Sequence, residues 1–247
     1  MIIRAVLFDL DNTIYPASSG LMQSIDRRIG EYVQRALGID EEEAARLRRH
    51  YYAEFGTTLS GLRHHHQHIE IEHYLQYVHD VALDAFLASD QRLDAMLANL
   101  RARKVVFTNS PREYAERVLN TLGIAHHFER IFDVRYFNFV GKPDPACYAQ
   151  VLRELHVAGP QAMLIEDTPR NLPPAVRLGM TTVLIDERAQ PAPLADYVVP
   201  DVLAAVQVAQ RLCFPSLPAA RPKRARGSLN GRPTTRAGIS GPAQRSR

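Results

Sequence analysis

Cysteine is scarce and long apolar runs are absent from this chain of 247 residues. A spanning helix needs roughly 18 or more consecutive apolar residues. No stretch approaches that, so the chain is not expected to be an integral membrane protein. Cys147 and Cys213 are too few for a disulfide framework and form no Cys-x-x-Cys, which points to a reducing, cytoplasmic setting. The opening MIIRAVLFDLD is apolar but meets Asp9 and Asp11 with no small-residue cleavage site, so it is not expected to be a signal peptide. Acid is missing from residues 221–247, which hold seven Arg and one Lys. Of the 30 basic side chains, 22 remain in residues 1–220 against 27 acidic ones. The net charge of +3 therefore divides into +8 on the tail and −5 on a mildly acidic body.

From Pro215 the sequence is rich in Pro, Arg, Ser and Gly, with almost no large apolar side chains. Such a segment buries too little surface to offset its ordering entropy, so residues 214–247 are expected to be a disordered basic tail. Its charge would suit nucleic acid or anionic lipid. Runs of like charge are more often solvated extensions, and no nucleic-acid partner is expected.

What is present is an alternation of short β-rich runs with amphipathic stretches, the pattern of a parallel sheet covered by helices. The expected strands are Ala5–Leu10, Lys104–Thr108, Ile131–Val134, Ala162–Ile165, Thr181–Ile185 and a weaker Asp196–Val199. Helices are expected at Arg112–Leu122, Pro145–Leu155 and Pro169–Leu178, the first and third stopped by Gly123 and Gly179. Residues 16–88 break the rhythm. Ile25, Ile29, Val33 and Leu37 recur every four residues, Asp40-x-x-Glu43 reads as a helix cap, and a third helical stretch spans roughly His66–His79. The expected architecture is a doubly wound, Rossmann-like α/β core (1–15 and 89–213) with an inserted all-helical cap (16–88) over the carboxyl ends of the strands.

The chemistry clusters at strand ends. Phe8-Asp9-Leu10-Asp11-Asn12-Thr13 closes the first strand, and residues i and i+2 of a strand face the same side. Two close carboxylates repel unless a cation or shared proton relieves them, and Mg²⁺ prefers such oxygen ligands. Solvated acids or a helix cap are the bland alternative. Val105-Val106-Phe107-Thr108-Asn109-Ser110 ends in groups able to hold phosphate oxygens at a helix start, although Ser110 before Pro111 also suits an ordinary cap. Gly141-Lys142-Pro143-Asp144-Pro145 places one cation between a glycine and a proline turn. Met163-Leu164-Ile165-Glu166-Asp167 ends another apolar run in acids, with Asn171 one helical turn on.

In this order and at these positions the four segments resemble the haloacid dehalogenase superfamily of phosphatases, over about residues 3–200. The resemblance implies Asp9 as nucleophile, Asp11 as general acid and base, Thr108 and Asn109 as phosphate-binding residues, and Lys142 as the cation steadying nucleophile and phosphoryl group. It also implies Mg²⁺ held by Asp9, Asp167 and the backbone carbonyl of Asp11, with Glu166 and Asn171 behind them. Family dehalogenases lack the second aspartate, because halide leaves without a proton. Asp11 therefore points to phosphomonoester hydrolysis through an aspartyl-phosphate.

In the cap, Tyr51-Tyr52-x-x-Phe55-Gly56-Thr57-Thr58-Leu59-x-Gly61-Leu62 and Asp11-Asn12-Thr13-Ile14-Tyr15-Pro16 look like the pyrimidine 5′-nucleotidase branch. Tyr51, Tyr52, Thr57 and Thr58 are then candidates to stack on and hydrogen-bond a base, unless the aromatics simply form the cap's own core. Six of the ten histidines fall within 64–79, with His64 and His68 at i, i+4. Without a completing ligand pattern they are expected on a solvated cap helix near the entrance. A small-molecule phosphomonoester is the expected substrate. A sugar-phosphate or phosphoglycolate-type phosphatase, and a non-catalytic module docking nucleic acid through the tail, remain open alternatives. The sequence fixes no oligomeric state.

Overall fold

Six strands pair in parallel in the order β3-β2-β1-β4-β5-β6, in a computed structural model that describes residues 2–188 and 190–213. The expected basic tail, 214–247, lies outside the described residues. The strands are β1 (Ala5–Phe8), β2 (Arg103–Phe107), β3 (Arg130–Phe132), β4 (Ala162–Glu166), β5 (Thr181–Ile185) and β6 (Tyr197–Val199). Each apolar run is continuous because both faces are covered. Val6, Phe8, Val106 and Ile165 face one layer, whereas Leu7, Val105, Phe107 and Leu164 face the other. This is the doubly wound, Rossmann-like arrangement read from the sequence.

Helices α6 (Arg112–Thr121), α7 (Pro145–Glu154) and α8 (Leu172–Arg177) follow β2, β3 and β4. Gly123 and Gly179 sit just past α6 and α8 at φ of 76° and 75°, as a helix-ending glycine should. Two further helices, α5 (Gln91–Ala98) and α9 (Val202–Cys213), were not anticipated from the sequence. They pack together against the first face of the sheet.

Before α5, four further α-helices follow β1: α1 (Leu21–Leu37), α2 (Glu41–Phe55), α3 (Thr58–His65) and α4 (Ile71–His79). Asp40 caps α2, its carboxylate accepting from the Glu43 amide at 2.8 Å. The stretch expected over His66–His79 is helical only from Ile71, as α4; His66 ends α3, a helix the sequence did not announce, and the chain turns before Ile71. Tyr32, Val33, Tyr51, Leu62, Tyr74 and Val78 form a separate apolar cluster among these helices. Among the described residues no helix is long and apolar enough to cross a membrane. Both cysteines are free, Cys147 buried and Cys213 partly so.

β1 ends at Phe8 rather than Leu10. The Asp9 amide still bonds Ile165 O on β4 at 2.9 Å, but Thr13 and Ile14 turn back onto Leu10 O and Asn12 takes φ +56°. Asp9 and Asp11 therefore belong to a turn, not to one strand face. In the helical layer, α3 approaches α2 through Gly61, where an added Cβ would lie 2.2 Å from Tyr51 Cγ. Gly61→Ala should force Tyr51 from its place and destabilise the chain by about 1–3 kcal/mol, the usual effect of overpacking. Urea denaturation measures this, and an unchanged midpoint would show that Tyr51 shifts freely.

Candidate active site

β1 has β2 on one side and β4 on the other, so the strand order reverses across it. Ligands of open α/β sheets bind at such a switch point, beyond the carboxyl ends of the strands. Here the register aligns Phe8 with Val106 and with Ile165, which brings Asp9, Thr108 and Glu166 to one edge. Lys142, from the loop before α7, reaches into the same place. Its Nζ donates to Asp9 Oδ1 at 2.6 Å and to Glu166 Oε2 at 2.7 Å, and the residue is only 2% exposed. The Thr13 hydroxyl donates to the second Asp9 oxygen at 3.1 Å. Carboxylate oxygens of Asp9, Glu166 and Asp167 lie within 4.8 Å of one another.

This cluster holds more negative than positive charge. Burial, reinforced by the neighbouring Glu166 carboxylate, pushes the Asp9 carboxyl up to about 7 against the pull of Lys142. Burial likewise raises Glu166 and Asp167. For Lys142, burial alone would lower the ammonium, but Asp9 and Glu166 outweigh it and hold it above its ordinary range. The excess charge and the all-oxygen donor set suit a hard divalent cation such as Mg²⁺.

The β2 end does two jobs. The Thr108 side chain is buried and its oxygen accepts from the Ser110 amide at 3.0 Å. The Asn109 side chain, expected at the phosphate, grips the Lys142 backbone. Its Oδ1 accepts from Lys142 N at 2.7 Å and its Nδ2 donates to Lys142 O at 2.9 Å. The amide oxygen and one N–H are thus held by the lysine loop, leaving the second N–H of Nδ2. Gly141 makes this approach possible, because a Cβ there would lie 2.3 Å from Asn109 Oδ1.

Asp11 turns away from Lys142. Its Oδ2 accepts from the Ser110 hydroxyl at 2.6 Å, and its Oδ1 accepts from Tyr15 at 2.5 Å and Tyr114 at 2.9 Å. Burial and the Asp11 charge raise both phenols above their ordinary range, so they remain O–H donors at working pH.

The cavity above these groups measures about 300 Å³. Asp9, Asp11, Thr108, Asn109, Lys142, Glu166, Asp167 and Asn171 line its floor, with Tyr52, Thr57, Thr58, Tyr74 and His79 from the helical layer. The Thr57 hydroxyl caps α3, accepting from the Ser60 amide at 3.0 Å. Tyr51 is absent from this lining. It packs in the helical core, bonds His66 Nε2 at 2.7 Å and stacks on His65, because alternate sides of α2 face core and solvent.

His64 and His68 do not share one helix face. His64 ends its run beside Phe55, the helix stops at His65, and His68 lies beyond the turn, so i, i+4 spacing has no meaning there. His64, His65, His68 and His73 are exposed, which accords with solvation. A different group, unmarked in the sequence, joins Asp94 Oδ1 to His126 and His127 Nε2 at 3.2 and 2.7 Å. Also unread were Tyr15, Tyr114 and Arg170. The Arg170 guanidinium lies 4.7 Å over the Tyr52 ring and donates to the Tyr52 and Ala53 carbonyls at the end of α2, tying the loop after β4 to the helical layer.

The model of the haloacid dehalogenase-like hydrolases matches residues 3–179, and the chain belongs to that family. Phosphate metabolism protein 8 of Saccharomyces cerevisiae is 29% identical over 195 residues, covering 73% of this chain and 61% of that protein. Validoxylamine A 7′-phosphate phosphatase of Streptomyces hygroscopicus subsp. limoneus is 34% identical over 87 residues, 35% of this chain and 40% of that one. The chain thus spans about three fifths and two fifths of these relatives. Among solved structures, a HAD phosphatase from Thermococcus onnurineus aligns with TM-score 0.57 at 20% identity, over 83% of this chain and 97% of its own. A 2-haloacid dehalogenase from Pseudomonas syringae pv. Tomato DC3000 aligns with TM-score 0.56 at 18% identity, over 85% and 99%. These likenesses show the shared fold.

Two outcomes follow from the buried charges. Lys142→Ala leaves Asp9 and Glu166 without their counter-charge, and stability should fall by about 3–5 kcal/mol; urea denaturation in chelator checks it, and a loss below about 1 kcal/mol would contradict the ion pairs. The folded, metal-free chain also keeps a proton on Asp9 that the unfolded chain releases near pH 4. Folding therefore takes up a proton, and this contribution to stability falls as pH rises from about 4 to about 7. The Tm in chelator should drop across that window, and Asp9→Asn should flatten the drop.

Proposed function

We propose that the protein is a Mg²⁺-dependent phosphomonoester hydrolase that works through an aspartyl-phosphate on Asp9, with pyrimidine nucleoside 5′-monophosphates as its substrates. The observation that carries the hydrolase reading is the buried Asp9–Lys142–Glu166 arrangement at the sheet's switch point, with Asp11 two residues on. Dehalogenases and phosphatases share this fold, so the fold does not choose between them. Asp11 does, because an alkoxide leaving group needs a proton and a halide does not. The phosphatase name of one similar protein agrees with this choice. Both free thiols suit a reducing, cytoplasmic setting.

In this reading Asp9 attacks phosphorus, the ester P–O bond breaks, and Asp11 gives its proton to the departing oxygen. Asp11 then takes a proton from the water that attacks the aspartyl-phosphate and releases inorganic phosphate. Lys142 holds Asp9 in place for attack and lies beside the equatorial oxygens, with the Thr108 hydroxyl and the backbone N–H groups that follow it. Asp9 and Asp167, with the Asp11 carbonyl, would hold Mg²⁺, and Glu166 and Asn171 stand behind them. The bound ion supplies positive charge against the phosphate dianion. Residues 16–88 act as the cap. Tyr52 and Thr58 face the cavity and are the cap groups proposed to meet the base, whereas Tyr51 serves only the cap's core.

Phosphate release from UMP, CMP, dTMP, AMP, GMP and several sugar phosphates, with Mg²⁺ and with chelator, tests both parts. Turnover should require Mg²⁺ and favour UMP or CMP. Preference for sugar phosphates would discard the base pocket and keep the chemistry. Asp9→Asn should abolish turnover on every ester, and near-normal activity in that variant would remove the scheme.

A further inference from the structure

Resting on the reading of Asp11 as general acid and base, we propose that Tyr15 and Tyr114 are positioning residues that aim the Asp11 carboxyl at the leaving oxygen. Both phenols are 1% exposed, and both hydroxyls meet the same oxygen, Asp11 Oδ1. They also lie 3.1 Å from each other, closing a triangle of three oxygens. Ser110 takes the other carboxylate oxygen at 2.6 Å. The holders come from three places: the turn after β1, the end of β2 and α6. A carboxylate fixed from three directions loses its side-chain rotation before the substrate arrives, which is the pre-organisation that proton transfer to one particular atom needs.

The choice of hydroxyls is itself informative. An ammonium or backbone N–H could donate to the carboxyl in either form but could not accept from its proton. A phenol or serine hydroxyl both donates and accepts. When Asp11 has a proton, one hydroxyl of the triangle turns to accept, and no heavy atom has to move. The same cradle therefore serves Asp11 before it gives its proton to the alkoxide and after it takes one from water. His79, at the end of α4, packs against the Tyr114 ring at 4.7 Å and lines the cavity, so the cap braces the pair from above. A buried polar triangle with no chemical role would satisfy the same hydrogen bonds, and kinetics separates the two.

Tyr15→Phe, Tyr114→Phe and the double variant keep the rings and remove only the hydroxyls. Each is compared with Asp11→Asn on two esters: 4-nitrophenyl phosphate, whose phenolate leaves without a proton, and the alkyl ester turned over fastest in the panel above. Because kcat/KM reports steps up to phosphoryl transfer, it isolates the acid half of the cycle. For the alkyl ester, kcat/KM should fall about 10- to 100-fold in the double variant, within the range of general-acid effects. For 4-nitrophenyl phosphate it should change less than about 3-fold, while kcat and KM fall together because the later water attack slows. The retained aryl kcat/KM is also the evidence of correct folding. A parallel loss on both esters, or no loss on either, overturns the proposal. If Asp11→Asn itself fails to separate the esters, the acid role of Asp11 fails and the proposal falls with it. If Asp11→Asn separates them and the tyrosine variants do not, only the proposal falls.

Discussion

One buried ammonium set against a surplus of carboxylates is the constraint on which the rest of the site depends. Lys142 Nζ lies between Asp9 and Glu166, at 2.6 and 2.7 Å, in a place nearly closed to water. Removing such charges from solvent costs several kcal/mol for each ion, and their attraction offsets this only when geometry and hydrogen bonding are good. The surrounding structure supplies that geometry. Asn109 grips the lysine's own backbone on both sides of the peptide, Gly141 leaves room for it, and Thr13 occupies the free Asp9 oxygen. Loops as far apart in sequence as residues 9, 109, 142 and 166 are thereby fixed with respect to one another.

The sheet explains why these loops meet. With β1 at the reversal point, its carboxyl end is flanked by those of β2 and β4, and each of the three ends in polar residues. Apart from Glu166 at the end of β4, the buried strand residues beneath the site are apolar and serve to place three loop starts side by side. Dehalogenases and phosphatases can share such a scaffold because function lies in the side chains set on it rather than in the fold. The turn after β1, with Asn12 at positive φ, separates Asp9 from Asp11 and sends the two carboxylates to different partners.

Much of this was legible in the sequence because it is local. Continuous apolar runs marked strands buried on both faces, and their polar ends marked the site. Asp40 and the glycines after α6 and α8 marked helix ends through short-range geometry. The sequence reading reached Asp9 and Asp11 through strand periodicity, yet β1 stops at Phe8 and the pairing arises from a turn. What stayed unread is non-local. Tyr114 meets Asp11 across 103 residues, and Arg170 meets Tyr52 across 118. Neither carries a spacing signal that a linear reading detects. Tyr51 and Tyr52 are adjacent and chemically alike, and only the orientation of α2 against α3 sends one to the core and leaves the other beside the cavity.

The charge surplus also bears on how nucleophile and ligand are coupled. A carboxyl raised to about 7 by burial and by Glu166 is partly protonated near neutral pH, and a protonated carboxyl is a poor nucleophile. Lys142 alone does not correct this, since it is already shared with Glu166. One more positive charge, at the place where the Asp9, Glu166 and Asp167 oxygens converge, would favour the ionised form of Asp9. A phosphate dianion entering by itself would deepen the imbalance, whereas the same dianion accompanied by a divalent cation would not. The electrostatics of these four side chains therefore favour a divalent cation, and an anionic ester beside that cation over the ester alone. That preference is set by burial and distance at the strand ends, independently of the helical layer above them.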